Sequence, residues 1–137
     1  MSERIVKSFA SQAMMETLGA ELASINPGEV VITAPILPTS TQQHGFGHAG
    51  LTFSIGDSAA GYSALSLMDA NQEVLTSEMK INLLAPAKGD YLRATGKVIK
   101  PGKRLMVVTA EVEAIDGDKT TTIAILQGTM VPITLPS

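Results

Sequence analysis

Hydrophobic and polar positions change rhythm several times along the 137 residues, and each change marks an element. From Ser2 to Leu18, Ile5, Phe9, Ala13, Met14 and Leu18 recur at near-helical spacing while Glu3, Arg4, Lys7, Gln12 and Glu16 fall mostly elsewhere. That pattern predicts an amphipathic helix stopped at Gly19. Two strand-like runs follow, Ala20 to Ile25 and Glu29 to Leu37, joined by Asn26-Pro27-Gly28. Proline fixes φ and glycine accepts positive φ, so the triplet predicts a hairpin turn. The polar stretch Pro38 to Gly45 then reads as a loop.

Gly45 to Met68 carries one formal charge, Asp57, with apolar or small residues on every helical face. A helix of this kind is buried all round, and its many Gly, Ala and Ser residues leave it slim enough for a sheet to close over it. After the polar turn Met68 to Gln72 the period drops to two. Met79, Ile81 and Leu83 alternate with Glu78, Lys80 and Asn82 in a strand ending at Pro86. Tyr91 to Lys100, Leu105 to Ile115 and Thr120 to Ile133 follow, divided by Pro101-Gly102-Lys103 and Asp116-Gly117-Asp118. The clearest alternation sets Met106, Val108, Ala110, Val112 and Ala114 against Thr109, Glu111 and Glu113. An early hairpin, one long buried helix and about four further antiparallel strands predict a single α+β domain over residues 1–137, its sheet wrapped around the helix.

Composition narrows the function classes. A hydrophobic content of 45% with 17% charged residues is that of a globular chain. Net charge of −3 and a pI near 5.3 argue against broad nucleic-acid binding. Without cysteine there is no disulfide, thiol nucleophile or zinc–thiolate site. The Gly and Ser content of the 45–68 span, without closely flanking basic residues, argues against a membrane helix, and Met-Ser-Glu-Arg-Ile lacks a signal peptide's apolar run. A cytoplasmic setting is expected. Asp57 stands out, because an isolated carboxylate is costly to bury unless paired, hydrogen-bonded or protonated. Its plainer role would be to cap a helix beginning at Ser58. His44 and His48 have the i, i+4 spacing of a metal pair, but only Asp57 stands near as a third ligand, so no metal is expected.

His48-Ala49-Gly50, with an acidic residue nine positions after the His inside a small-residue helix, resembles the His-Gly-Gly…Asp signature of the hotdog-fold acyl-CoA thioesterases, in their PaaI-like (phenylacetic acid degradation) branch. Thr76-Ser-Glu-Met-Lys-Ile-Asn-Leu-Leu-Ala-Pro-Ala-Lys-Gly-Asp90 resembles the family's strand and Pro-Ala…Gly-Asp turn, and Ala94 to Arg104 its next hairpin. The likeness extends over residues 30–133. It implies a hotdog fold with an additional N-terminal helix, and hydrolysis of an acyl-CoA thioester to free acid and coenzyme A with no metal or redox cofactor.

Thioester hydrolysis needs a nucleophile or a base for water, donors for the developing oxyanion, and groups that align the reactants. The resemblance assigns Asp57 the first task, by direct attack or by activating water, and gives the oxyanion to the backbone N–H of Ala49 at a helix N-terminus. The family often has glycine there. Ala serves equally unless the site demands positive φ. The resemblance places an orienting amide at Gln42, with Gln43 as its rival, local positioning at His48, and a hydroxyl at Thr76, with Ser77 as rival. It also implies a homodimer or homotetramer with the site at the subunit interface, Asp57 and Thr76 of one chain facing Gln42, His48 and Ala49 of another.

Lys97 to Arg104 gathers four of the ten basic residues, and Lys100, Lys103 and Arg104 are candidates for the coenzyme A phosphates. Phe9, Met14, Met15, Phe53 and Tyr62 either line the acyl pocket or belong to the core. A non-catalytic acyl-CoA binding or sensing domain is the alternative function, since one fold hosts unrelated activities. A hotdog hydratase is less apt, because the helix offers Asp57 without an internal His to pair with it.

Overall fold

The computed structural model describes residues 2–136. The period-two segments pair into one antiparallel sheet of β1 (Glu21–Asn26), β2 (Glu29–Pro35), β3 (Gln72–Leu83), β4 (Tyr91–Pro101), β5 (Met106–Asp116) and β6 (Lys119–Thr134). Their order across the sheet is β1-β2-β4-β5-β6-β3, so β1 and β3 are the edges. The helix α3 (Ala49–Leu65) crosses one face and packs against β2 through β6. This is the hotdog arrangement the sequence predicts.

Alternation decides which face meets the helix. Val30, Ile32, Leu92, Ala94, Val108, Val112, Leu126 and Met130 are buried beneath α3, while Arg93, Thr95, Glu111 and Glu113 occupy the opposite face, where Arg93 bonds Glu113 at 2.9 Å. Small residues set the helix close to the sheet. A Cβ built on Gly96 would lie 2.3 Å from the carbonyl carbon of Ala59, and one on Gly56 would meet Leu126 at 3.0 Å. Buried serines on α3 and at its C-cap satisfy themselves locally: Ser63 Oγ donates to the Ala60 carbonyl at 2.6 Å, and the C-cap Ser66 Oγ to that of Ser63 at 2.6 Å.

β3 contains a bulge. Its pairing with β6 slips between Thr76 and Glu78, leaving Ser77 as the extra residue. Strict alternation would put Thr76 and Glu78 on one face. The inserted residue instead lets Val74 and Thr76 face the helix side together with Met79 and Ile81, while Glu78 and Lys80 line the outer face.

Three boundaries differ from the sequence reading. The N-terminal helix is two helices, α1 (Ser2–Ser11) and α2 (Ala13–Thr17), because Gln12 is extended at φ −87°, ψ 97°. Neither Pro nor Gly causes the break; the Gln12 side chain bonds distant partners instead, as described below. The central helix starts at Ala49 rather than Gly45, because Gly45 has φ +86° and Gly47 is held in bridges to Thr41 and Ala87. β3 begins at Gln72, earlier than the Glu78–Leu83 alternation suggests. Among the described residues no helix is long and apolar enough to cross a membrane.

Candidate active site

Asp57 sits eight residues into α3, which removes the reading of it as the cap of a helix starting at Ser58. It shares a helix face with Ser58, Gly61 and Tyr62, and this face opens into a cavity of about 320 Å³ bounded by α1, Gln12 and β3. Thr76 Oγ1 donates to Asp57 Oδ1 at 2.8 Å and touches Met130 Sδ at 3.3 Å. The bulge makes this contact possible and distinguishes Thr76 from Ser77. Burial raises the Asp57 carboxyl above its ordinary value, and the Thr76 hydroxyl opposes that rise by bonding the charged form. Oδ2 accepts no hydrogen bond from the described residues, so the atom free for chemistry belongs to a carboxylate made more basic by desolvation.

The second group of predicted residues lies at the N-terminus of α3. His48 is the N-cap, with φ −65° and ψ 145°, and its Nδ1 accepts from the Gly50 N–H at 2.7 Å. The Leu51 N–H donates to the His48 carbonyl at 3.0 Å. The Ala49 N–H is therefore the donor this turn leaves free, and it sits at the positive end of the helix dipole. No non-glycine residue among those described has positive φ, so Ala49 carries no strain for lacking the family's glycine. Gln42 Oε1 accepts from the N–H groups of His44 at 2.6 Å and Phe46 at 3.3 Å, which fixes the side chain and leaves its NH₂ as a donor. Gln43 is exposed.

One chain does not bring the two groups together. Eight residues of helix separate Ala49 from Asp57 by about 12 Å. Lys100, Lys103 and Arg104 are exposed on the β4–β5 hairpin and belong to no ion pair among the described residues, whereas Lys97 is taken by Glu29 at 3.4 Å. Met106, at the base of that hairpin, stands level with Met130 and Thr76 across the sheet. Two strand spacings, about 10 Å, therefore separate the hairpin from the Thr76 strand. His44 and His48 have no third ligand: no group of three or more His, Asp or Glu residues gathers among those described.

Of the apolar pocket candidates, Met15 is core, Met14 is exposed, and Phe9 and Phe53 pack on the core half-buried. Only Tyr62 reaches the Asp57 cavity. The other walls escaped the sequence reading: Ser8, Ser11, Gln12, Ser58, Glu73 and Val74. The one trace of them in the sequence is the adjacent polar pair Ser11-Gln12 in the middle of an otherwise helical period.

Residues 44–121 match the thioesterase superfamily. A thioesterase family protein from Silicibacter pomeroyi has the same fold at a TM-score of 0.95, with 40% identity over 97% of this chain and 98% of that one. A protein of Saccharolobus solfataricus named as an esterase is 32% identical over 73% of this chain and 71% of its own length. The acyl-coenzyme A thioesterase PaaI of Escherichia coli is 29% identical over 76% of this chain and 73% of its own. With the fold and this sequence match in agreement, the chain belongs to the thioesterase superfamily, as a PaaI-like thioester hydrolase of hotdog fold.

Proposed function

We propose that the chain hydrolyses acyl-coenzyme A thioesters at a site completed by a second copy of itself. The observation that carries this reading is the division of the site: a basic carboxylate with a free oxygen, and a free oxyanion donor about 12 Å away on the same helix. β3 is a twelve-residue edge strand bearing exposed Leu75 and Leu83, a surface that invites pairing. A two-fold axis pairs two such edges antiparallel. The Leu83 end of one copy then runs beside the Thr76 end of the other, and the Gly47–Ala87 bridge carries the N-terminus of α3 with it.

In the composite site the Ala49 N–H of one copy stabilises the developing oxyanion on the thioester carbonyl, with the Gln42 amide and His48 beside it. Asp57 of the other copy removes a proton from the attacking water as the C–O bond forms, or attacks the carbonyl itself to give a mixed anhydride that water then hydrolyses to the acid and free Asp57. Collapse breaks the C–S bond and the coenzyme A sulfur leaves as thiolate, taking up a proton. Lys100, Lys103 and Arg104 receive the phosphates of coenzyme A.

Two variants test this by thiol release from acyl-CoA esters. Asp57→Asn should cost about 10²- to 10⁴-fold in kcat/KM. Ala49→Pro removes the donor at a helix position that tolerates proline, after a residue already in the extended conformation proline requires. It should cost about 10²- to 10³-fold with the melting temperature retained. Refolding the two inactive variants together should restore about a quarter of native activity, since half of the molecules are mixed dimers with one intact site. No recovery in mixed dimers would refute the shared site, and tight binding without turnover would make the protein an acyl-CoA binding module instead.

A further inference from the structure

The cavity beside Asp57 is walled mainly by side chains that form hydrogen bonds, and their arrangement is prepared in advance. Gln12 interrupts the N-terminal helix, and both ends of its amide are engaged across the fold. Its Nε2 donates to the Tyr62 hydroxyl at 3.2 Å, and its Oε1 accepts from Ser58 Oγ at 3.3 Å. The Tyr62 hydroxyl also lies 3.0 Å from Ser8 Oγ. An amide has two N–H donors and a carbonyl with two lone pairs, so these bonds fix Gln12 while leaving one donor and one lone pair unused. The helix pair that carries it is anchored at both ends. Ile5 and Met15 are fully buried, and Arg4 donates to the carbonyls of Asp69 at 2.8 Å and Gln72 at 2.9 Å.

Charge narrows what this wall receives. Asp57 and Glu73 line the cavity, and no Lys, Arg or His does. A carboxylate on the acyl group would meet two negative side chains and no cation, at an energetic cost in a partly desolvated site. A purely aliphatic acyl tail would strip water from Ser8, Ser11, Gln12 and Ser58 without replacing its hydrogen bonds. A neutral hydroxyl satisfies both constraints.

We propose that Gln12, held by Tyr62 and Ser58, is a specificity-determining residue that selects acyl groups carrying a neutral hydrogen-bonding substituent. This rests on the acyl-CoA reading above, with Gln12 recognising the acyl end and taking no part in the proton transfer at Asp57. The test compares kcat and KM for hexanoyl-, ω-hydroxyhexanoyl- and adipyl-CoA, which share a chain length and differ in the terminal group, and for butyryl- against β-hydroxybutyryl-CoA. The native protein should favour at least one hydroxylated ester over its alkyl parent by about tenfold in kcat/KM, as expected for one hydrogen bond in a half-open site, and should disfavour the adipyl ester.

Gln12→Leu should bring the hydroxyl-to-alkyl ratio to about one while the alkyl ester keeps its kcat within about threefold, most of the change falling in KM. Tyr62→Phe should move the ratio in the same direction, and the double variant no further than Gln12→Leu alone, as for residues acting as one unit. An unchanged ratio in Gln12→Leu overturns the proposal. So does an equal loss on all esters that tracks a lowered melting temperature, which would make Gln12 a structural tie. Absence of thiol release from every ester by the native protein overturns the acyl-CoA reading itself and this inference with it.

Discussion

Replacing Gly96 by Ala adds one methyl group to the sheet, at the point where α3 lies closest. The new Cβ would stand 2.3 Å from both the carbonyl carbon and oxygen of Ala59 and 2.4 Å from the nitrogen of Ala60. All three are main-chain atoms of a helix buried on most of its circumference, so no side-chain rotation relieves the clash. Reaching the ordinary separation of about 3.5 Å obliges α3 to retreat by about 1 Å. Overpacking commonly costs about 1–3 kcal/mol, and a clash with rigid backbone belongs at the top of that range. For a chain of this size about 3 kcal/mol corresponds to a fall of about 10 °C in melting temperature.

Activity should suffer as well, because the retreat moves Asp57 relative to Thr76 and to the second copy; a misplacement of about 1 Å is worth on the order of a hundredfold in rate. The control is Gly61→Ala on the opposite flank of α3. There a Cβ meets the Met130 methyl at 3.8 Å, an ordinary contact, and alanine gains about 1 kcal/mol over glycine in a helix interior. Urea unfolding of both variants at one fixed protein concentration separates the two signs. Equal stability of Gly96→Ala and the parent would refute the close approach of helix and sheet.

Three further outcomes follow from the site. In Thr76→Val, the loss of the hydroxyl that bonds the carboxylate should raise the Asp57 pKa further; the acid limb of kcat/KM then moves to higher pH, and Thr76→Ser restores it. Because burial raises the Asp57 pKa on folding, its contribution to stability is present below the ordinary carboxylate value and is lost as pH rises through the folded value. Asp57→Asn should therefore melt higher than the parent at neutral pH while losing activity, and an unchanged or lowered melting temperature there would count against the desolvated carboxylate. Replacing Lys100, Lys103 and Arg104 together with Gln should raise KM for a coenzyme A ester by about tenfold, the sum of three exposed charge contacts, and flatten its salt dependence at unchanged kcat. An unaltered salt profile would remove the hairpin from the site.

The sequence exposed those features whose cause is local. Met106 to Ala114 alternates so regularly that the face it buries is unambiguous, and His48-Ala49-Gly50 names a helix start whose cap and free donor follow from neighbouring atoms. Features set by distant partners were hidden. Gln12 breaks its helix for Tyr62, fifty residues away, and a helical period cannot register that. Thr76 and Ser77 were indistinguishable until pairing with β6 fixed the bulge. Lys97 read as one of four basic residues in the turn until β2 supplied Glu29 as its partner. The separation of Asp57 from Ala49 follows from helical rise alone, but it acquires meaning only with the long β3 edge beside it.

The bulge at Ser77 sets a rule for how this chain can change. The side chain of Ser77 is exposed and forms no bond to Asp57, so many residues suit the position. Its presence is dispensable as well. Thr76 and Glu78 already pair with the adjacent Met130 and Thr129, so deleting Ser77 would join them in strict alternation with Val74, Thr76, Met79 and Ile81 still toward α3. Position 77 is thus free in identity and in number: a one-codon loss there straightens the strand and keeps the carboxylate's partner on its face, whereas the same loss between Met79 and Leu83 would turn one part of the strand over against the other.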